Sequence, residues 1–215
     1  MMHSDRRFRW RRLKAQIAEM MRRGPVFDED IWLLKADASV PSCRLQPQWE
    51  QVRVAGGADA ARLIEQGYDL GGLDQDIVAG AGGWAECFLV FRQKRLAHMS
   101  QVTACPDNPN VYGSLRRLVR DGAVMIGPCI TLAEFRGHGL YAQTLRWIAQ
   151  CMAAEGKGPV LIAVRIENQA SVHGVLKSGY HPWVIHHRHR LGLVELFSAR
   201  PWPADVLARL QEKIA

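Results

Sequence analysis

The chain has 215 residues, 48% of them hydrophobic and 23% charged, with a net charge of +7. That composition suits one globular domain with additions. It has no run of about 18 apolar residues, so no segment reads as a membrane-spanning helix. The basic N-terminus lacks the apolar core of a secretory signal.

Residues 6–23 carry eight Arg or Lys against Glu19 alone, a surplus equal to the net charge of the whole chain. The rest of the sequence is therefore neutral. Trp10, Leu13, Ile17, Met20 and Met21 fall on one side of a helix, which predicts a basic amphipathic helix over residues 1–24, separate from a body over 25–215. Such a helix can pack on the body, join a homodimer, lie on an anionic membrane surface or contact nucleic acid. The neutral body argues against a broad nucleic-acid surface.

Gly24, Pro25, Asp28, Glu29 and Asp30 read as a linker. Ile31–Ala36 reads as a strand, and Gln51–Ala55 as another that leads into a helix over Ala60–Ile64. The glycine-rich residues 69–83 lack a preceding apolar strand and a Lys or Ser partner, so they read as a connection rather than a phosphate loop. Trp84–Arg92 and Arg95–Thr103 form a predicted hairpin around Gln93-Lys94. Residues 106–121 show no strong period. The five cysteines, Cys43, Cys87, Cys105, Cys129 and Cys151, form no C-x-x-C pair. This scattered set fits free thiols in a reducing cytoplasm better than disulfides or zinc.

The most informative stretch runs from Val124 to Met152. Its first part, through Thr131, is short, apolar and β-branched, a buried strand. Its last part places Tyr141, Leu145, Ile148 and Met152 on one helical face. Between them lies Arg136-Gly137-His138-Gly139. The first N–H groups of a helix have no internal partner, and the helix dipole adds positive charge there. Glycine lets backbone approach a phosphate, and Arg136 adds a cation suited to its oxygens. The turn is thus a candidate pyrophosphate cradle. It is neither a G-x-G-x-x-G dinucleotide fingerprint nor a P-loop.

Gly156–Pro159 stops the helix, and Val160–Val164 reads as a second buried strand. Asn168 then opens a short helix that ends at Gly179-Tyr180. The tail from Tyr180 holds His186, His187, Arg188, His189 and Arg190. Strand alternation turns His187 away from His186 and Arg188, and no Cys or acid is near enough in sequence to complete a zinc set, so no metal is expected. The segment reads as an exposed edge strand, with a cationic lining for an anionic acceptor as the alternative. Leu193–Phe197 reads as a strand and Pro203–Ile214 as a closing helix.

Arg136, Gly137, His138, Gly139 and Leu140 resemble, in register, the acetyl-CoA-binding motif R-x-x-G-x-G/A of the GNAT superfamily of N-acetyltransferases. Tyr141 departs from the small residue of its last position. The second strand followed by Asn168, Ser171, Gly179 and Tyr180 resembles a further GNAT pattern, N-x-x-A/S, a helix, then G-F/Y. The resemblance implies an α/β (α+β) GNAT acyl-CoA N-acyltransferase fold, a mixed sheet flanked by helices, here with the basic N-terminal helix added. It makes Ile31–Ala36 an extra leading strand. It implies acetyl-CoA as co-substrate and a primary amine, a small amine or an amino sugar, as acceptor. Cofactor contacts would come from Cys129, Ile130 and Thr131, where two strands part in this superfamily, from Arg136 to Tyr141, and from Asn168 and Ser171.

The amine must lose a proton from an ammonium of pKa about 10 before it attacks. The tetrahedral oxyanion needs N–H donors, and the leaving thiolate needs a proton or a positive neighbour. Many GNAT members supply that proton from a Tyr at the eighth position of N-x-x-A-x-x-L-Y, where this chain has Val175. Tyr141 and His173 are the catalytic candidates in its stead, with Tyr180 and Cys129 as further substitutes, and no general base stands out. Two other readings stay open. One is an acyl-CoA-binding module without turnover. The other is a nucleic-acid-binding protein that uses the N-terminal helix.

Overall fold

The structure is a computed structural model that describes residues 26–36, 40, 45–71, 85–108, 111, 115–165, 167–191 and 194–203. The predicted helix over 1–24, all of the predicted helix over 203–214 beyond Pro203, and most of the glycine-rich stretch lie outside the described residues.

In chain order the elements are β1 (Val26–Ala36), β2 (Glu50–Val54), α1 (Gly57–Glu65), β3 (Glu86–Arg92), β4 (Arg95–Thr103), α2 (Leu115–Arg120), β5 (Val124–Thr131), a 3₁₀ turn (Ala133–Phe135), α3 (Leu140–Ala154), β6 (Val160–Arg165), α4 (Gln169–Lys177), β7 (His181–Leu191) and β8 (Val194–Arg200). All eight strands form one mixed sheet in the order β2-β3-β4-β5-β6-β1-β7-β8. Among the described strands, only the neighbours β5 and β6 run parallel to each other. α3 lies between them in sequence, as a parallel crossover requires.

Strand alternation sorts the core between the two faces of the sheet. Trp32, Leu34, Val124, Ile126, Val160, Ile162 and Val164 pack with Leu145, Ile148 and Met152 of α3 and Val172, Val175 and Leu176 of α4. Leu33, Met125 and Leu161 point the other way and pack with Leu115 and Val119 of α2. Three of the four residues on the predicted stripe of α3 are thus core, and Tyr141 is partly buried beside them. β3 and β4 meet at Gln93 and Lys94, both with positive φ (51° and 62°). That is the backbone of a two-residue hairpin turn whose twist matches its strands.

Two expectations need correction. Residues 26–30 are not linker, because β1 starts at Val26. The leading strand fills the sheet interior, antiparallel to β6 on one side and to β7 on the other. Acidic residues survive there because bases face them: Glu29 is ion-paired to Arg165 at 2.6 Å and to Arg188 at 3.4 Å, and Asp30 is paired to His187 at 2.9 Å and Arg200 at 2.6 Å. Buried charges are tolerated when paired in this way. Finally, β7 is not an exposed edge. It lies between β1 and β8, with Arg188 and Arg190 buried. α2 also occupies part of the stretch in which no period was evident.

Leu34 is fully buried in the middle of β1, whereas Leu196 on the edge strand β8 is largely exposed. Leu34→Ala should therefore lower unfolding free energy by about 2–5 kcal/mol. Leu196→Ala should stay within about 0.5 kcal/mol. Urea denaturation of both variants checks the central place of β1.

Candidate active site

β5 and β6 pair through only three residues each, Val124↔Val160, Met125↔Leu161 and Ile126↔Ile162. They then part. Between the pairs Val102↔Ile126 and Ser100↔Cys129, β4 advances two residues while β5 advances three. β5 therefore bulges at Gly127 and Pro128, and Pro128 has no N–H to offer a ladder. β6 continues along β1 up to Arg165. The gap opens a cleft of about 910 Å³.

The cleft reaches both faces of the sheet. On the α3–α4 side it is lined by Cys129, Thr131, Arg136, Tyr141, Asn168 and Ser171. On the α2 side it is lined by Gln101, Thr103, Val111, Leu115, Ala163 and Arg165. Parity explains the division. Val102 and Val164 belong to the α3–α4 core, so their neighbours Gln101, Thr103, Ala163 and Arg165 face α2. No Asp or Glu among the described residues lines the cleft.

The turn before α3 has the geometry its glycines suggested. Gly137 (φ 83°) and Gly139 (φ 71°) are both left-handed, and Gly139 is the N-cap of α3 without a side-chain cap. The first N–H groups of α3 therefore have no side-chain partner at the cap. Arg136 Nε donates to the Thr131 carbonyl at 3.3 Å, which holds the guanidinium beside the end of β5. The His138 ring is within 3.2 Å of the carbonyls of Phe135 and Arg136, and it lies edge-on to Trp49. Leu140 turns its side chain into the core with Trp49 and Phe135, so only its backbone can face a ligand. Ile130 is partly exposed on the cleft wall.

Tyr141 stands over the cleft. Its hydroxyl lies 2.8 Å from Ser171 Oγ, and burial pushes its pKa well above the ordinary tyrosine value. It remains a neutral donor near pH 7. Gly174 makes room for the ring: a Cβ at that position would lie 2.5 Å from Tyr141 Cδ1. Asn168 is the N-cap of α4, its side chain accepting from the Ser171 N–H at 3.1 Å. Asn168, Ser171 and Tyr141 are thereby linked into one wall.

The other candidates are not brought to this place. His173 is on the exposed side of α4 and is not among the cleft-lining residues. Tyr180 is buried and donates to the Leu145 carbonyl at 3.2 Å. Val175, where a tyrosine would be expected from the resemblance, is core.

A feature the sequence did not single out lies behind the wall. His98 on β4 is 1% exposed. Its Nδ1 is 2.7 Å from Thr131 Oγ1 and its Nε2 is 2.9 Å from Ser100 Oγ. Ser100 donates to Cys129 Sγ at 3.1 Å, and Cys129 donates to the Gly127 carbonyl at 3.4 Å. Those directions assign the tautomer: Nε2 carries the hydrogen, and Nδ1 accepts from Thr131. The chain of bonds fastens the parting arm of β5 to β4. Burial drives the His98 pKa down to about 3 and the Cys129 pKa up to about 12. His98 is therefore a structural acceptor rather than a base, and Cys129 is a poor nucleophile. The available signal was the spacing of His98 and Ser100, which places both on one strand face.

No protein-family model matches the sequence, and no curated protein matches it. Solved structures do. A GCN5-related N-acetyltransferase from Kribbella flavida is 14% identical, with a TM-score of 0.53, over 82% of this chain and 63% of that one. A protein assigned to the GNAT acetyltransferase family from Novosphingobium aromaticivorans is 18% identical, with a TM-score of 0.50, over 75% and 64%. A GNAT-family acetyltransferase from Colwellia psychrerythraea is 11% identical, with a TM-score of 0.50, over 76% and 55%. The chain thus spans less than two thirds of each of these proteins.

The low His98 pKa has a thermodynamic consequence. Its folded-state value of about 3 lies below the ordinary 6.5, so the unfolded chain binds a proton over that interval that the folded chain refuses. Stability is greatest above pH 6.5 and falls as pH drops towards 3. Between pH 7 and 5 the urea midpoint should decrease. His98→Asn, which cannot titrate, should flatten that decrease at the cost of lower stability at pH 7. On the parting of β5 and β6, the glycine turn and the mixed sheet order together, this chain has the fold of the GNAT acetyltransferases.

Proposed function

We propose that the chain is an acyl-CoA-dependent N-acetyltransferase, moving an acetyl group from acetyl-CoA to a primary amine. The observation that carries this reading is the cleft between β5 and β6, lined by residues from both faces of the sheet, with the left-handed glycine turn and Arg136 beside it. A donor and an acceptor can enter from opposite faces and meet inside it. The fit to acetyl-CoA rests on this chain's own residues. Arg136 and the N–H groups that open α3 suit a pyrophosphate, and left-handed glycines leave room for its close approach. Past Ile126, the edge of β5 that faces the cleft has no strand partner among the described residues, so its backbone groups suit an amide-bearing arm. The co-substrate supplies an activated acetyl thioester.

The chain's residues then have separable roles. The free N–H groups of β5 polarise the carbonyl and hold the oxyanion. Tyr141, oriented by Ser171, donates a hydrogen bond to the departing sulfur. Its raised pKa lies above that of an ordinary thiol at about 8.5, so it stabilises the thiolate without surrendering its own proton first. With no carboxylate among the described lining residues, water is the acceptor for the proton that the amine must lose. His98 supports Thr131 and Cys129 without taking part. The four described cysteines are not joined in disulfides, which supports the cytoplasm as the compartment.

Val175 and the lack of an acid among the described lining residues also suit a module that binds acyl-CoA without turnover. Thiol release from acetyl-CoA across an amine panel separates the two, since only the enzyme gives amine-dependent release.

Gly139→Val would place a β-branched side chain at φ 71°, a strain of about 1 kcal/mol or more. Calorimetry should show acetyl-CoA affinity about fivefold weaker or worse, and unchanged binding would remove the turn from the site. Tyr141→Phe keeps the ring against Gly174 and loses the hydroxyl. A hydrogen bond to a charged group is worth about 1.5–3 kcal/mol, so kcat should fall about tenfold or more while acetyl-CoA binding is kept.

A further inference from the structure

On the acyltransferase reading above, we propose that the amine acceptor carries a carboxylate and that Arg165 is the residue that binds it. The α2 side of the cleft has neutral polar groups from Gln101, Thr103 and Asn108, apolar groups from Val111 and Leu115, and one cation, Arg165, among the described residues. The other cation of the described lining, Arg136, belongs to the α3–α4 side. An acceptor seated on the α2 side therefore meets a positive charge and no described carboxylate.

The setting of Arg165 makes it a recognition group rather than a solvated surface charge. It ends β6, opposite Ile31 of β1. Its Nε is 2.6 Å from Glu29 Oε1, and among the described residues Glu29 is its only partner. The Glu29 carboxylate is 4% exposed, and it is shared with Arg188, itself 3% exposed, at 3.4 Å. Arg165, with a side chain 39% exposed, is the member of this triad that reaches the cleft. Glu29 lies against the guanidinium, with Nε its recorded contact, and an arginine offers a fork of terminal nitrogens with two parallel donors. That fork matches a carboxylate in a bidentate pair. A polyamine would instead bring like charge to a site where desolvation strengthens repulsion.

The step balances without a further reagent. The amine nitrogen forms a bond to the acetyl carbon, the carbon–sulfur bond breaks, the displaced amine proton goes to water, and the thiolate takes a proton from solvent. The substrate carboxylate is unchanged, held by Arg165 throughout.

The test uses the full chain, acetyl-CoA and matched amines: phenylalanine with phenethylamine, leucine with isoamylamine, and spermidine as the polycation. Thiol release should give kcat/KM at least tenfold higher for the carboxylated member of a pair, and the lowest value for spermidine. Arg165→Gln should raise the KM for the carboxylated acceptor at least tenfold and erase the preference within each pair, while calorimetric affinity for acetyl-CoA stays within threefold. Arg165→Lys keeps the charge and the ion pair with Glu29 but loses the fork, and should recover part of the preference. If Gln at this position unfolds the chain, the wild-type pairs and the Lys variant still decide. Equal or better use of phenethylamine, isoamylamine or spermidine by the wild type overturns the assignment and leaves acyl transfer standing. Acetyl-CoA binding with no turnover on any of the amines overturns it as well. Failure of acetyl-CoA to bind overturns acyl transfer and the assignment together.

Discussion

Everything in the candidate site depends on two parallel strands that stop pairing. β5 and β6 share three residue pairs, and the hydrogen bonds that would continue the ladder are withdrawn from both sides. On β5 the bulge at Gly127 and Pro128 changes the strand's course, and proline removes a donor where a central strand would need one. On β6 the chain stays with β1. A sheet interior normally satisfies all its backbone groups. A gap here leaves a row of them facing a cavity, which suits an extended polar ligand. The gap is held open by bonds elsewhere. The Thr131–His98–Ser100–Cys129 chain fastens one arm, and the Ser171–Tyr141 contact and the Asn168 cap fix the helices above it.

The parts of this arrangement carried by local pattern were legible in the sequence. The strand from Val124, the turn at Arg136–Gly139, the apolar stripe of α3 and the N-cap at Asn168 each depend on residues close together in the chain, where backbone geometry and hydrophobic period decide the outcome. Val26–Asp30 was not legible for the opposite reason. Asp28, Glu29 and Asp30 look like linker residues because a run of acids has no local reason to enter a sheet. The partners of Glu29 and Asp30, namely Arg165, His187, Arg188 and Arg200, stand more than a hundred residues away, and only the fold brings them across from β1. The same holds for β7. A run of histidines and arginines reads as a solvated edge until acids of β1 are placed opposite it. His98 was missed because a lone histidine in an apolar strand carries no period, and its importance lies in what Thr131 and Ser100 present to it.

The triad of Glu29, Arg165 and Arg188 is also informative about the role of β1. Buried ion pairs are weak sources of stability, because desolvating the charges offsets much of their attraction. Apolar residues would serve the packing of β1 between β6 and β7 at least as well, as Trp32, Leu33 and Leu34 do one turn of the pleat further along. A carboxylate shared by two arginines is therefore better explained by what it does to Arg165 than by what it adds to the core. It gives a long, flexible cation a buried counter-charge at 2.6 Å, and an arginine restrained by such a pair loses less freedom when it binds a ligand. Glu29 comes from the leading strand. On this argument the strand does more than widen the sheet. Its apolar half completes the core beneath α3 and α4, and its Glu29 pairs with the one cation that lines the α2 side of the cleft among the described residues. Truncating the chain ahead of β2 would then remove the partner of Arg165 along with the packing, even though the glycine turn at Arg136–Gly139 lies downstream.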